Sequence, residues 1–182
     1  MRFPKVRIIH AAFFSLSLLS LPLAASEVIS QETLDQTLLD ARNAIEREEF
    51  KAAFALYDQA ARWGHKGAQY VLGELYNEGK GVARDPVRGY AWLTVAAEAP
   101  DRDFRRALKR AGQALSDAEK AQAERLAREY AGIYGMEAAG VYCKKESRVG
   151  SNIKRAHCYH RNTTGNGDLI VPDADTGAQP AS

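Results

Sequence analysis

The chain has 182 residues, with 25 lysines and arginines against 23 acidic residues. Residues 1–26 hold three of the basic residues (Arg2, Lys5, Arg7) and no acidic one, so the remainder carries 22 basic against 23 acidic side chains. A nearly neutral chain of that length supports one domain with a modest core and gives no overall charge argument for nucleic-acid binding.

Taken from the N-terminus, Arg2, Lys5 and Arg7 precede the largely apolar run Ile8–Leu23, and Ala24-Ala25-Ser26 is the kind of small-residue run a signal peptidase accepts. The run is short and serine-rich for a membrane span, which needs about 20 apolar residues. Residues 1–26 are therefore expected to be a signal peptide cleaved after Ala25 or Ser26, the alternative being an uncleaved anchor. Ser26 stands where a lipoprotein would need cysteine. The expected destination is the periplasm, or the medium beyond it, without a lipid anchor.

Leu34, Leu38, Ala41 and Ile45 recur at helical spacing and predict an amphipathic helix from Gln31 to Arg47. A second helix, Phe50 to Trp63, aligns Phe50, Phe54, Tyr57 and Ala61, while Ala52, Ala53, Ala55 and Ala60 leave room for close helix approach. Gly64-His65 make the turn. The third helix, Lys66 to Asn77, carries Tyr70, Leu72, Gly73, Leu75 and Tyr76. Gly79-Lys80-Gly81 ends it, and Asp85-Pro86 supply an N-cap and a first-turn proline for a fourth helix with Tyr90, Trp92, Leu93, Ala96 and Ala97. Asp103 to Gln113 is weakly periodic and rich in arginine, a surface helix. Ser116 and Glu119 have capping-box spacing for a sixth helix through Leu126 and Tyr130 toward Tyr134.

Phe54, Ala55, Leu56, Tyr57, Ala60 and Ala61 return 36 positions later as Tyr90, Ala91, Trp92, Leu93, Ala96 and Ala97. Such a period marks a helical hairpin that buries its apolar face by stacking on copies of itself. The run from Gly67 to Asp85, with its LGxLYxxGxGVxxD core and the following Tyr90-Ala91-Trp92 and Ala96-Ala97, closely resembles the Sel-one-like repeat family. One repeat, about 67–100, is complete. The resemblance implies an all-α, tetratricopeptide-like αα-solenoid over residues 27–138 that works as an adaptor or scaffold, often at the bacterial envelope, without reaction chemistry or cofactor. Its core residues here are Tyr70, Leu72, Gly73, Leu75, Tyr76, Gly79, Gly81, Val82, Tyr90, Trp92, Ala96 and Ala97. Polar neighbours Gln69, Glu74 and Arg88 are the candidate partner surface. Some secreted relatives carry a cysteine pair in each repeat, and for some of them activity on cell-wall-like substrates has been suggested; no cysteine lies inside a repeat here.

After Gly140 a second unit, residues 139–161, is bounded by Cys143 and Cys158. It is weakly similar to a short cysteine-bounded segment of exported bacterial proteins. Two cysteines in an oxidising compartment favour a disulfide, and Gly150-Ser151-Asn152 can turn Val141–Lys145 back onto Ile153–Cys158 as a hairpin. A metal site from Cys143, His157, Cys158 and His160 has poor spacing, three of the four crowding together. Lys144, Lys145, Arg148, Lys154, Arg155 and Arg161 face Glu146 alone, a basic module for an anionic surface or simply a solvated loop. The stretch 162–182 is expected to be disordered, and Asn162-Thr163-Thr164, a glycosylation triplet, carries little weight in a bacterial-type sequence.

No nucleophile with a base, no paired carboxylates and no metal set are visible; Glu48-Glu49, Glu74 and Glu78 read as helix-surface groups and His65 as a turn residue. The expected function is protein or peptide binding in the cell envelope. The competing reading is a binder or hydrolase of peptidoglycan fragments in the groove between solenoid and tail module. A stack this short also invites completion by a second copy or a larger protein.

Overall fold

The computed structural model describes residues 26–147, 154–161 and 163–172. Residues 1–25, 148–153, 162 and 173–182 lie outside the described residues, and with them the signal segment, the hairpin turn with Arg148, and the end of the tail. Six helices follow a short strand: β1 (Ser26–Ile29), α1 (Gln31–Glu46), α2 (Phe50–Arg62), α3 (Lys66–Glu78), α4 (Pro86–Ala96), α5 (Arg102–Gln113) and α6 (Asp117–Tyr134). Three more strands follow among the described residues: β2 (Val141–Ser147), β3 (Lys154–His160) and β4 (Leu169–Pro172). The expected helices are all present, and the fold is a short αα-solenoid with a disulfide-linked hairpin after it.

The caps explain the boundaries. Ser30 accepts from the Thr33 amide at 3.0 Å, Asp85 from Arg88 at 2.9 Å, and Ser116 with Glu119 forms a reciprocal capping box at α6. Gly79, at φ +70°, closes α3. Consecutive helices pack α1 on α2, α2 on α3, α3 on α4 and α4 on α5, but α6 lies against α4 rather than α5. The composition of α5 explains this, since only Ala107 is buried there. Gly73 allows α3 and α4 to close up; a Cβ there would stand 2.7 Å from Leu93 and 2.9 Å from the Gly89 carbonyl.

The core runs from Leu34, Leu38 and Ala41 through Tyr57, Leu72, Leu75 and Tyr76 to Trp92, Tyr130 and Tyr134. Trp92, Tyr130 and Tyr134 form a triangle of rings with centroids 4.6, 5.4 and 6.1 Å apart, and Phe54 meets Tyr76 edge-on at 5.3 Å. Burial pushes the Tyr76, Tyr130 and Tyr134 phenols above their ordinary range. Of the expected repeat core, Leu72, Gly73, Leu75, Tyr76, Trp92 and Ala96 are buried, whereas Tyr70, Gly79, Gly81, Val82, Tyr90 and Ala97 are half-buried. Ala52 and Ala55 are exposed, so only Ala53 and Ala60 of that set serve helix approach.

Part of the tail is a correction. Residues expected to be disordered after position 161 include β4, which pairs antiparallel with β1, Glu27 opposite Val171 and Ile29 opposite Leu169. Ile29, Leu169 and Val171 are buried with Leu34 and Leu38, so this ribbon covers the α1 end of the stack. Apolar residues at alternate β4 positions find a face to cover, which a composition-based expectation of disorder overlooks.

At the centre, Lys66 is 1% exposed and donates to the Glu98 carboxylate at 2.8 Å and the Val95 carbonyl at 3.1 Å. The same Glu98 oxygen accepts the Met136 amide at 2.7 Å. Lys66 is the buried member and Glu98 the solvent-facing one, so removing Glu98 leaves the buried ammonium without its counter-charge, whereas replacing the cation with an apolar chain does not. Glu98→Ala should therefore cost about 3 kcal/mol in urea unfolding and Lys66→Met about 1 kcal/mol or less; equal costs would contradict this account of the pair.

Candidate functional site

Among the described residues, two concave regions beside the helices are candidate sites. The smaller, about 290 Å³, lies between α3 and α5 and is lined by Tyr70, Asp101, Asp103, Phe104, Arg106 and Arg110. Tyr70 and Phe104 stack at 4.9 Å with 19° between their planes, each half-buried. Arg110 reaches Glu74 at 3.3 Å and flanks the stack with its side chain 61% exposed. Asp101 caps α5 through the Asp103 and Phe104 amides, and Asp103 pairs with Arg106, so both carboxylates are occupied.

The larger, about 480 Å³, lies between α1, the α2–α3 turn, the β2–β3 hairpin and β4. This is the groove between stack and tail expected from the sequence. Gly64, at φ +87°, is the hinge point of contact. A Cβ there would stand 2.6 Å from Ala139 and 3.2 Å from Val141, so only glycine lets the base of the hairpin rest on the turn. His65 and His160 both line this groove, with Asp35 as its carboxylate. Asp35 accepts from Gln31 at 3.0 Å. Two convergent carboxylates, which glycoside hydrolysis would require, do not line either groove in a free state.

His65 has a structural task. Its Nδ1 accepts the Ala68 amide at 3.0 Å and caps α3, which places the proton of the neutral ring on Nε2. Burial and then His160 hold its pKa down to about 4, opposed by Asp35. Burial also lowers His160, partly offset by its hydrogen bond with the Ala139 backbone. Protonation of His65 would remove the cap and place charge in the groove.

The hairpin is closed by the Cys143–Cys158 disulfide, the two residues standing directly opposite in register. Their pairing removes both from any ligand set, and among the described residues no three His, Cys, Asp or Glu side chains converge on a metal position. Of the expected partner-surface residues, Gln69 is corrected. It is fully buried and donates to the Ala61 and Tyr134 carbonyls at 3.0 and 2.9 Å, tying α3 to α2 and α6. Glu74 borders the α3–α5 groove, and Arg88 pairs with Asp85 at 3.3 Å on a different face. Lys144, Lys145, Lys154 and Arg155 are exposed on the hairpin. Phe104 escaped the sequence reading because one aromatic in an arginine-rich helix gives no periodic signal; the offset of Tyr70 from the buried Leu72–Tyr76 face was the available clue.

Residues 67–101 match the family model described as Sel1 repeat, and repeats of this kind generally mediate protein–protein interactions. A solved structure described as a protective antigen of uropathogenic Escherichia coli strains displaying an SLR fold is 28% identical over 57% of this chain, with a TM-score of 0.47. The chain spans 23% of that protein's length. No curated protein matches the chain. Among the described residues no helix is long and apolar enough to cross a membrane.

The lowered histidines fix a pH dependence. A base whose folded pKa lies below its unfolded value stays neutral in the fold while the unfolded chain takes up the proton, so stability is full above pH 6.5 and falls as pH drops toward 4. For His65 the loss is about 3 kcal/mol by pH 4. His65→Asn, which keeps a capping oxygen, should flatten the dependence of the urea midpoint on pH; an unchanged slope would show that His65 is not its source. Reducing the disulfide releases a loop of separation 15 and should cost the hairpin about 3 kcal/mol. Because the hairpin touches the helices at its base, far-ultraviolet helix signal should persist while β2 and β3 amides lose exchange protection; loss of both together would contradict that.

Proposed function

We propose, for a chain that is a Sel1-repeat protein, that it acts as a non-catalytic adaptor of the bacterial cell envelope, exported to the periplasm or secreted, and holds a partner protein or peptide on its helical stack. The observation that carries this reading is the Tyr70–Phe104 stack at the α3–α5 groove, with Arg110 and Glu74 beside it. Half-exposed aromatics flanked by arginine have the composition of binding hot spots, and a shallow groove lets a peptide side chain reach them. The disulfide supports residence in an oxidising compartment. The first polar layer of the repeat is spent on folding, since Lys66, Gln69 and Glu98 are all internally bonded. Binding then falls to groups the fold leaves over, and the arginines and aromatics of α3 and α5 are such groups.

A second reading has one observation in its favour. The 480 Å³ groove between stack and hairpin has the size of a small-ligand site, and a peptidoglycan fragment is the ligand class its polar and apolar lining would take. With Asp35 as its carboxylate, that groove favours binding over hydrolysis. Completion of the stack by a second copy is a further form of the adaptor reading, for which exposed Leu39 on α1 and Val28 on β1 offer apolar contact.

In-cell crosslinking of the exported protein, followed by capture, tests the choice. A discrete protein partner should be recovered with the wild type and fall at least about tenfold with Phe104→Ala and with the exposed Arg110→Ala, the ~1.4 kcal/mol expected of a hot-spot residue. Muropeptides co-purifying in place of a protein, or equal recovery by both variants, would overturn the α3–α5 reading.

A further inference from the structure

One face of the β2–β3 hairpin is left largely open by the fold, with Tyr159 at its edge also lining the larger groove. Opposed residues of an antiparallel pair share a face. Val141 and His160 are therefore on the side that rests against Gly64, and Tyr142 and Tyr159 are on the other. The tyrosine rings lie 5.5 Å apart. The Lys144 ammonium sits over both, 5.4 and 5.5 Å from their centres, and the Arg161 guanidinium lies 5.7 Å from Tyr142. Arg155, opposite Glu146, extends the same face. Glu146 is the acidic residue among them; it accepts the Tyr159 hydroxyl at 2.7 Å and lies 3.8 Å from the Lys144 ammonium, so one carboxylate stands against the positive charges of Lys144, Arg155 and Arg161.

The face is thus a ribbon with two cations, Lys144 and Arg161, over two aromatic rings and a third, Arg155, further along the strand opposite Glu146. Lys145 and Lys154 are exposed on the opposite side of the two strands, so positive charge surrounds the end of the hairpin remote from the helices. Like charges held near one ring repel unless an anion joins them. The ring faces are covered by Lys144, which argues against stacking of a sugar and for recognition through charge. A two-stranded strip with exposed cations on both of its faces fits an extended anionic array better than a single anion in a socket. Tyrosine rings favour the headgroup level of a bilayer, and each nearby Lys or Arg adds to attraction by anionic lipid.

We infer that the Tyr142–Lys144–Arg155–Tyr159–Arg161 face of the hairpin docks the protein on a bilayer surface rich in anionic phospholipid headgroups. It would hold the helical stack beside the membrane while the α3–α5 groove stays free, so its success or failure is separate from that of the protein-binding reading.

Vesicle flotation tests it, with protein recovered from cells expressing the full chain, in the processed form that accumulates. The vesicles are phosphatidylcholine alone, or phosphatidylcholine with an equal part of phosphatidylglycerol, at low and at high salt. The wild type should float with the anionic vesicles at low salt and detach at high salt. Lys144→Gln with Arg155→Gln should lower the apparent affinity on the order of twenty-fold, about fivefold for each charge. The double change Lys120→Gln with Arg125→Gln, exposed on α6, should leave it unaltered. Equal flotation on neutral vesicles, none on anionic vesicles at low salt, equal loss in the α6 variant, or retention by the hairpin variant would each overturn the inference. Capture by soluble polyphosphate but not by vesicles would overturn it in favour of a free polyanion.

Discussion

The first turn of α3 is the constraint on which the rest of the structure depends. Within five residues, His65 caps the helix, Lys66 crosses to the end of α4, and Gln69 reaches the ends of α2 and α6. Glu98 then passes the connection on to the Met136 amide, where the chain leaves α6 for the hairpin. The buried Lys66 ammonium and Gln69 amide nitrogen would be costly without partners, and each has two. They specify one arrangement of four helix ends, which apolar contact alone would leave free to slide.

That arrangement sets where function can lie. Gln69 and Glu98, which look available in the repeat, are internal ties, and the histidines of the larger groove are committed to a cap and to a packed interface. The arginines and the Tyr70–Phe104 stack remain beside the helices, and the cationic face of the hairpin remains beyond them. The hairpin is fixed at its base through Gly64, so it adds a second surface to the stack without altering the helical packing. The β1–β4 ribbon does the corresponding job at the α1 end, shielding Leu34 and Leu38, and in so doing supplies the cap that a short solenoid requires.

The helices were legible because each depends on local chemistry. Asp85 and Ser116 are caps readable within four residues, and the Gly79–Asp85 run marks the turn of a repeat. The cysteine pair was legible too, and the strands on either side extend further than expected, to Ser147 and His160. What was not legible depends on contacts far apart in sequence. Nothing near Val28 or Val171 announces that these segments pair across the whole domain, and Gln69 looks like a surface amide until Tyr134 arrives over it. Packing of α6 on α4, past α5, likewise follows from how little apolar surface α5 offers rather than from any period. The grooves were harder still, since each is lined by elements that meet only in the folded stack.

The central claim is that the α3 hub makes α3, α4 and the end of α6 one cooperative unit to which the hairpin is only attached. Native-state amide hydrogen exchange under increasing urea measures this directly. The account predicts that amides of α3, α4 and the Tyr130–Tyr134 turn of α6 share one opening free energy, equal to that of global unfolding, while β2 and β3 open separately at a lower one. Exchange of α6 at a lower free energy than α3 and α4, or of the hairpin together with the hub, would contradict it.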